Sequence, residues 1–448
     1  MRGLLKNIPQ HRGYLGALSS GYLLMGASIL TQGVFVPLYL NAFGQYQFGV
    51  LMVLLSLVNF SSIGVGWLSG GAMRMLGGYA ALGDESEFRR AFGLIKIIYL
   101  AYGVILAILI GVMAAGFDKV LFSGGTEADI RALRPTLLLL GVYLIFFFVA
   151  ATDRLALAAR KRGGAANMAQ LAGIMTCAAG IVPWLLSDGG MAGVMICQIL
   201  GALVSILVTR QLLRKELPGL RMHVPTRQDT DLFKRLGGRT GAGFFLHGAL
   251  VLVLLSDTIL VSWLGGARVA AEFYLVWKVA EVLLILLGKI PESMAPYFVH
   301  MDVRSEHTGL KLITQLGYAL VGTASLFTGV IYALFGQKLV ALWVGEVLAP
   351  SNPLGYALAG GAIFWLGISR LPVVLASARV ALRQMNWVGG IELLGKLVLS
   401  LLLFPHLGYV AVLLAINLVH GLGVSFLYFR LLRRPPDVSA RHAVEKIH

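Results

Sequence analysis

The stretch SDTILVSWLGGARVAAEFYLVWKVAE, residues 256–281, contains the end of one apolar segment, a turn at Gly265 and Gly266, and the start of a second apolar segment that opens with aromatic residues. The stretch LYLNAFGQYQFGVLMVLLSL, at 38–57, has the same order, with its turn at Gly44. Glycine admits backbone conformations that interrupt a helix, so each stretch is typical of two consecutive helices. The likeness of the two stretches predicts an internal repeat.

The composition of the whole chain is that of a membrane protein with many spans. The chain has 448 residues, of which 58% are hydrophobic and 13% charged, and its mean hydropathy is +0.81. Apolar runs of about 20 residues, the length that crosses a bilayer core of roughly 30 Å, recur from end to end. We predict an all-α polytopic protein with about twelve transmembrane helices, at 15–40, 46–72, 91–115, 135–158, 165–186, 190–209, 240–264, 270–294, 312–335, 354–378, 387–404 and 408–429.

The loops between these spans differ in their content of basic residues. Of the 37 Lys and Arg residues, 26 fall on the side that includes both termini and five fall on the opposite side. Because basic residues concentrate in the cytoplasmic loops of membrane proteins, the sequence predicts a multi-pass protein of the cytoplasmic (inner) membrane with both termini cytoplasmic. The net charge of +16 then reflects topology and contact with membrane lipids, and no nucleic-acid partner is expected.

The longest hydrophilic connection lies midway along the chain and predicts a division into two halves. It contains two prolines and eight basic residues. Spans 1 and 7 have the same predicted orientation, so the halves would be parallel repeats about a pseudo-two-fold axis along the membrane normal. The predicted parts are an N-terminal six-helix half at 1–209, a cytoplasmic linker at 210–239, a C-terminal six-helix half at 240–429 and a cytoplasmic tail at 430–448.

Basic residues inside the predicted spans are the main indication of function. A cation at the bilayer centre costs at least roughly 2.5–3.5 kcal/mol, so it normally faces a bundle interior or a water-filled cavity. Several such cations suit an interior that admits an anionic substrate. Two of them, Lys96 and Arg154, lie near cytoplasmic helix ends, and we expect their side chains to extend to the interface. The others are Lys278, Lys289, Arg370 and Lys396.

Span 8 carries four charges on one face. At 100° per residue, Lys278, Glu281, Lys289 and Glu292 share an arc of roughly 80°. This stripe cannot face hydrocarbon, and we favour a cavity-lining role. The alternative is that Lys278–Glu281 and Lys289–Glu292 are i,i+3 pairs present only for packing.

Other charged residues in the spans form candidate pairs. Asp257 and Lys278 lie at similar predicted depths, so a pair between them is geometrically reasonable. Glu392 and Lys396 are four residues apart on span 11 and could pair with each other or with a neighbouring helix. His420 is a single imidazole in a span, which is more often a hydrogen-bonded core residue than a proton relay.

The sequence contains no pattern for catalysis, a cofactor or a metal. Cys177 and Cys197 lie in predicted spans without a CxxC motif, which disfavours a disulfide framework or a zinc site. The segment GIELLGKL at 390–397 lacks the final Ser or Thr of a phosphate-binding loop and follows no strand. We therefore expect no cofactor and no ATPase domain.

The two glycine-turn stretches resemble the signatures of Wzx-type polysaccharide flippases. These belong to the multidrug/oligosaccharidyl-lipid/polysaccharide exporter superfamily. Segment 256–281 resembles its Asp-x-x-Ile/Leu…Gly…Tyr…Ala signature, with Asp257 at the acidic position but Thr258 where Arg or Lys is common. The stretch at 43–84 is similar to the signature of its first helix pair. The positions that match there are Gly44, Phe48, Gly49, Gly64, Arg74 and Asp84.

The resemblance implies twelve helices, a central cavity lined chiefly by spans 1, 2, 7 and 8, and alternating access. On this basis we expect the cavity cations to bind substrate and the acids to serve as coupling residues or counter-ions. The expected substrate-binding residues are Lys278, Lys289, Arg370, Lys396 and Arg74. The expected coupling residues or counter-ions are Asp257, Glu281, Glu292 and Glu392.

The function that these expectations favour is a flippase for a polyprenyl-diphosphate-linked oligosaccharide, a precursor in polysaccharide or lipopolysaccharide biosynthesis. Its expected partners are this lipid-linked substrate, membrane lipids, and glycosyltransferases and a polymerase of the same pathway.

One alternative is an exporter of cationic drugs, whose cavity would be expected to concentrate acids. The other is a membrane-embedded polysaccharide polymerase or ligase, an enzyme class that carries a large external loop. The longest external loops predicted here, 116–134 and 336–353, are short and contain no histidine.

Overall fold

Helices account for all the regular structure that the computed structural model describes, which comprises residues 8–116, 127–187, 189–216, 232, 257–303, 307–378 and 382–427. The first set is α1 Ile8–Ser61, α2 Ile63–Leu82, α3 Glu85–Gly116, α4 Glu127–Ala159, α5 Gly163–Leu186 and α6 Met191–Glu216. The second set is α7 Asp257–Val303, α8 His307–Val344, α9 Pro353–Ala378, α10 Leu382–Leu407 and α11 Val410–Ala415, which continues as a π-helix over Ile416–Val424. The predicted all-helical membrane fold is confirmed. Most of the predicted span 240–264 and all of the tail beyond 427 lie outside the described residues.

Two of the helices, α1 and α7, are interrupted at a single glycine. Gly44 has φ 69° and ψ 173°, and Gly266 has φ 81° and ψ 175°. A side chain at either position would clash with the backbone, which is why glycine is required there. Both glycine turns lie where the sequence predicts them. Their nearly equal dihedral angles support the predicted repeat of helix pairs.

Nine segments of the described helices are long and apolar enough to cross a membrane. They include Ser19–Ser61, Leu133–Ala159 and Trp387–Leu407. The part of α7 that follows Gly266 is not among them, although it extends to Val303. The charged residues of the predicted span 270–294 lie in this part of α7 and reduce its apolar character.

The chain divides into two compact units, Met1–Phe244 and Phe245–His448. The predicted linker at 210–239 begins inside α6, and most of it lies outside the described residues. In the first unit α3 packs on α4, and α5 packs on α6 so closely that a Cβ at Gly173 would lie 2.5 Å from the carbonyl oxygen of Gly201. Small residues at this contact allow the two backbones to approach each other.

The second unit is built on contacts of α9 with α8 and α7, and of α10 with α11. Large aromatic side chains fill its core, and Tyr332, Tyr356 and Phe273 are fully buried. Because the Tyr332 hydroxyl donates to the carbonyl oxygen of Val276 at 2.5 Å, its polar end is satisfied inside the unit. This bond connects α8 to the part of α7 that carries the predicted stripe.

Candidate functional site

The α7 stripe, which we define as Lys278, Glu281, Lys289 and Glu292, forms two ion pairs. Lys278 Nζ donates to Glu281 Oε2 at 3.0 Å, and Lys289 Nζ donates to Glu292 Oε2 at 2.6 Å. Lys278 Nζ also lies 5.7 Å from the ring centre of Tyr274, within the range of a cation–π contact. The i,i+3 pairs are those that the helical spacing predicts.

The two pairs of the stripe differ in exposure. The side chains of Lys278 and Glu281 are 13% and 32% exposed, whereas those of Lys289 and Glu292 are 40% and 54% exposed. An exposed ion pair on a helix of membrane-crossing length cannot face acyl chains without a large cost. This side of α7 therefore requires water, a polar ligand or other polar protein groups.

Helix α9 brings Arg370 to the same side of α7. A Cβ placed on Gly288 would lie 4.0 Å from Arg370 Nε and 4.0 Å from Glu292 Oε1, so both charged groups border this glycine. Together with the α7 stripe, Arg370 gives three cations and two acids. Among these described residues, cations therefore outnumber acids by one.

A second pair of charges is buried inside the C-terminal unit. Lys396 Nζ, on α10, donates to Asp257 Oδ1 at 2.6 Å, and the two side chains are only 3% and 2% exposed. Asp257 therefore pairs with Lys396, and the expected pair with Lys278 is wrong. The other carboxylate oxygen of Asp257 is buried without a hydrogen-bond partner among the described residues.

Glu392, one turn before Lys396, also has a partner on another helix. Its Oε1 lies 2.5 Å from His420 Nδ1, and both side chains are buried. Of the two alternatives for Glu392 and Lys396, the structure shows the contacts with neighbouring helices. Glu392 contacts the π-helix, a rare conformation that often occurs at functional sites. His420 is a hydrogen-bonded core residue, as its sequence context indicates. No group of metal-ligating side chains is found in the part of the chain that was described.

The remaining predicted site residue, Arg74, lies on α2. Its side chain is outside the described part of the structure, so its relation to the other candidate residues stays a prediction.

The N-terminal unit contains an ion-pair network that sequence reasoning missed. Asp153, which is fully buried, accepts hydrogen bonds from Lys96 Nζ at 2.5 Å and from Arg210 Nε at 3.3 Å. The expectation that Lys96 extends to the interface is wrong, because its amine is buried against this carboxylate. An acid beside Arg154 in an apolar run was the sequence signal that could have indicated the network.

A cavity of about 100 Å³ lies between α4, α5 and α6 of this unit. Arg154 lines this cavity, and its Nη1 donates to Ser205 Oγ at 3.3 Å. The expectation that its side chain extends to the interface stays a prediction. The lining residues of α4 are spaced so that they share one helix face. The lining comprises Tyr143, Phe147, Ala150, Arg154, Gln170, Gly173, Ile174, Cys177, Gln198, Gly201, Ala202 and Ser205.

No family model and no curated protein matches the chain by sequence. By structure, the chain is similar to an inward-facing multidrug resistance MATE family transporter of the MOP superfamily. The TM-score is 0.67 and the identity 13%, over 91% of this chain and 94% of that one.

Two further structures show the range of proteins with this fold. A mutant of the Vibrio cholerae MATE transporter VcmN matches with a TM-score of 0.62 and 16% identity, over 93% of this chain and 96% of that one. The lipid II flippase MurJ, in an inward closed conformation, matches with a TM-score of 0.63 and 13% identity, over 92% of this chain and 88% of that one. The chain therefore has the fold of transporters of the MOP superfamily, which is the superfamily that the sequence resemblance indicates.

Proposed function

We propose that this protein is a flippase that moves a polyprenyl-diphosphate-linked oligosaccharide across the cytoplasmic membrane by alternating access. The observation that carries the proposal is the α7 stripe, which is about half exposed at Lys289 and Glu292, with Arg370 beside it. Among these described residues, cations outnumber acids. A diphosphate is an anion that lysine binds as a point charge and arginine binds as a bidentate fork. The occurrence of this fold in a lipid II flippase is compatible with a lipid-linked substrate.

The length of the stripe fits a large head group better than a small ion. Lys278 and Lys289 are eleven residues apart, which corresponds to about 16 Å along the helix. A substrate with a charged diphosphate and a hydrated glycan can contact polar groups over such a distance while its lipid tail stays in the bilayer. If the protein works as the resemblance to Wzx-type flippases implies, Lys278 and Lys289 bind the substrate. Glu281 and Glu292 then serve as their counter-ions when no substrate is bound.

Loss of the protein tests this proposal directly. We expect the lipid-linked oligosaccharide to accumulate on the cytoplasmic leaflet while its synthesis continues, because only its translocation is blocked. The measurement is the sidedness of the labelled intermediate in membranes from cells with and without the protein. Arrested synthesis, or assembled repeat units that still reach the outer leaflet, would contradict the proposal and favour an enzyme.

An exporter of cationic drugs is the second candidate. Glu281 and Glu292 on the exposed side of α7 are acids that could bind a cation, and multidrug transporters share the fold. The two functions predict different essential residues in the pair Lys289–Glu292: the acid for export of a cation, and the lysine for transport of a diphosphate. Drug resistance lost in Glu292→Gln but retained in Lys289→Gln would support the exporter, whereas flippase activity lost in Lys289→Gln supports our proposal.

The topology that the proposal requires can be checked with reporter fusions. Fusions at Gly83 and within 210–239 are expected to report the cytoplasm, and a fusion at Gly124 is expected to report the opposite side, because basic loops remain cytoplasmic. The measurement is the activity of a paired cytoplasmic and periplasmic reporter at each site. An external signal from 210–239 would be incompatible with the twelve-span topology, since that loop contributes most to the charge bias.

A further inference from the structure

The cavity between α4, α5 and α6 belongs to the N-terminal unit, and its chemistry differs from that of the α7 stripe. Among its twelve described lining residues, Arg154 is the only charged one and none is acidic. The other polar groups are the side chains of Tyr143, Gln170, Gln198 and Ser205. These side chains offer hydroxyl and amide donors from three helices around a single guanidinium.

The guanidinium of Arg154 has more donors than the described residues use. Within the described ranges it makes one hydrogen bond, to the hydroxyl of Ser205. A guanidinium carries five N–H donors in a fixed plane, so four of them have no acceptor among the described residues. Two parallel N–H groups match the oxygens of a phosphate or a carboxylate.

The charges around the cavity do not neutralise this arginine. Asp153 directly precedes Arg154 on α4, but it already accepts hydrogen bonds from Lys96 and Arg210. This cluster of described residues therefore contains three cations and one acid, namely Arg154, Lys96, Arg210 and Asp153. Burying a cation without a counter-ion is costly, and an incoming anion would reduce that cost.

The size and depth of the cavity limit the choice of anion. Its volume of about 100 Å³ is smaller than the roughly 300–1,000 Å³ of sites for drug-sized ligands, so it suits a single small anionic group. Arg154 is five residues from the end of α4, which corresponds to about 8 Å along the helix. A tetrahedral phosphate, with more acceptor oxygens than a carboxylate, can use donors from all three helices.

We propose that Arg154 and the polar side chains around it form a phosphate-binding site, occupied by the head group of an anionic phospholipid or by a soluble phosphate compound. The site shares no residue with the α7 stripe, and the proposal does not depend on which substrate the protein transports.

The test is the thermal unfolding of the purified full-length protein in an uncharged detergent. One arm titrates phosphatidylglycerol against phosphatidylcholine, and the other titrates sodium phosphate against sodium chloride at equal ionic strength. A ligand that binds only the folded state raises the unfolding temperature with its concentration, which gives an apparent Kd. We expect Arg154→Gln to raise this Kd by at least about tenfold, and Arg154→Lys to raise it less because the charge is kept but the fork is lost.

Two further variants make the outcome specific. Lys338→Gln removes one exposed positive charge outside the cavity and is expected to leave the Kd unchanged. Ala202→Leu fills the cavity but keeps Arg154, and it is expected to weaken binding by about tenfold. This variant tests the site independently if Arg154→Gln does not fold. If Arg154 affects the Kd only in the phosphatidylglycerol titration, the ligand is a lipid head group. If it affects the Kd only in the sodium phosphate titration, the ligand is a soluble phosphate compound. The proposal is overturned if neither ligand stabilises the protein, if Ala202→Leu binds normally, or if Arg154→Gln weakens binding no more than Lys338→Gln.

Discussion

Replacing Lys396 with alanine is expected to destabilise the folded protein by about 3–5 kcal/mol, because it leaves a buried carboxylate without its counter-ion. Asp257 and Lys396 are almost completely buried, and the second oxygen of Asp257 has no partner among the described residues that could compensate for the loss. The measurement is the unfolding temperature of the purified protein, together with its abundance in the membrane.

The α7 stripe provides a matched control for this effect. Lys289→Ala removes the same type of side chain from an ion pair of the same length, 2.6 Å, but this pair is about half exposed. Exposed pairs contribute roughly 0–1 kcal/mol, so the control should be nearly as stable as the unaltered protein. Equal stability of Lys396→Ala and Lys289→Ala would show that burial does not decide the contribution of these pairs.

A double substitution separates loss of charge balance from loss of packing. Lys396→Ala/Asp257→Asn removes the buried charge that the single change leaves, so we expect it to recover much of the lost stability. No recovery would mean that the lysine stabilises the fold through its other contacts. For function, the burial of Lys396 means that it can contact a substrate only if Asp257 first releases it.

The features that depend on local sequence could be predicted from the chain alone. The helical spacing of Lys278, Glu281, Lys289 and Glu292 determines that they share a face, whatever α7 packs against. The turns at Gly44 and Gly266 are similarly local, because the backbone conformation there requires glycine.

The partners of the buried charges could not be predicted in the same way. Predicted depth makes Lys278 a reasonable partner for Asp257, but the observed partner lies 139 residues away on α10. Two lysines at similar depths can be distinguished only by knowing which helices are in contact. For the same reason, distance from a helix end suggested that Lys96 extends to the interface, whereas the packing of α3 on α4 places Asp153 beside it.

Substitution of Lys278 is expected to have the largest effect on transport. If its amine binds the diphosphate, Lys278→Ala removes a charge-assisted contact of about 1.5–3 kcal/mol, which corresponds to a loss of roughly ten- to a hundredfold in the translocation rate at normal membrane abundance. Lys278→Arg should retain partial activity, since the charge remains but a compact ammonium becomes a wide planar fork. The measurement is the rate at which lipid-linked oligosaccharide reaches the outer leaflet, normalised to the amount of folded protein.

The partner of Lys278 determines whether this loss reflects substrate binding or charge balance. Its amine is 3.0 Å from Glu281, whereas Asp257 has its own partner, so Glu281 is the acid whose removal could compensate. If Lys278 only neutralises Glu281, the double variant Lys278→Ala/Glu281→Gln should regain transport, because the uncompensated carboxylate is gone. We expect no such rescue, and we expect Glu281→Gln alone to lose less activity than Lys278→Ala.

Restored transport in the double variant would make Lys278 a structural counter-ion. Failure of rescue at normal abundance would leave substrate binding as its role, because neither the fold nor the charge balance then explains the loss.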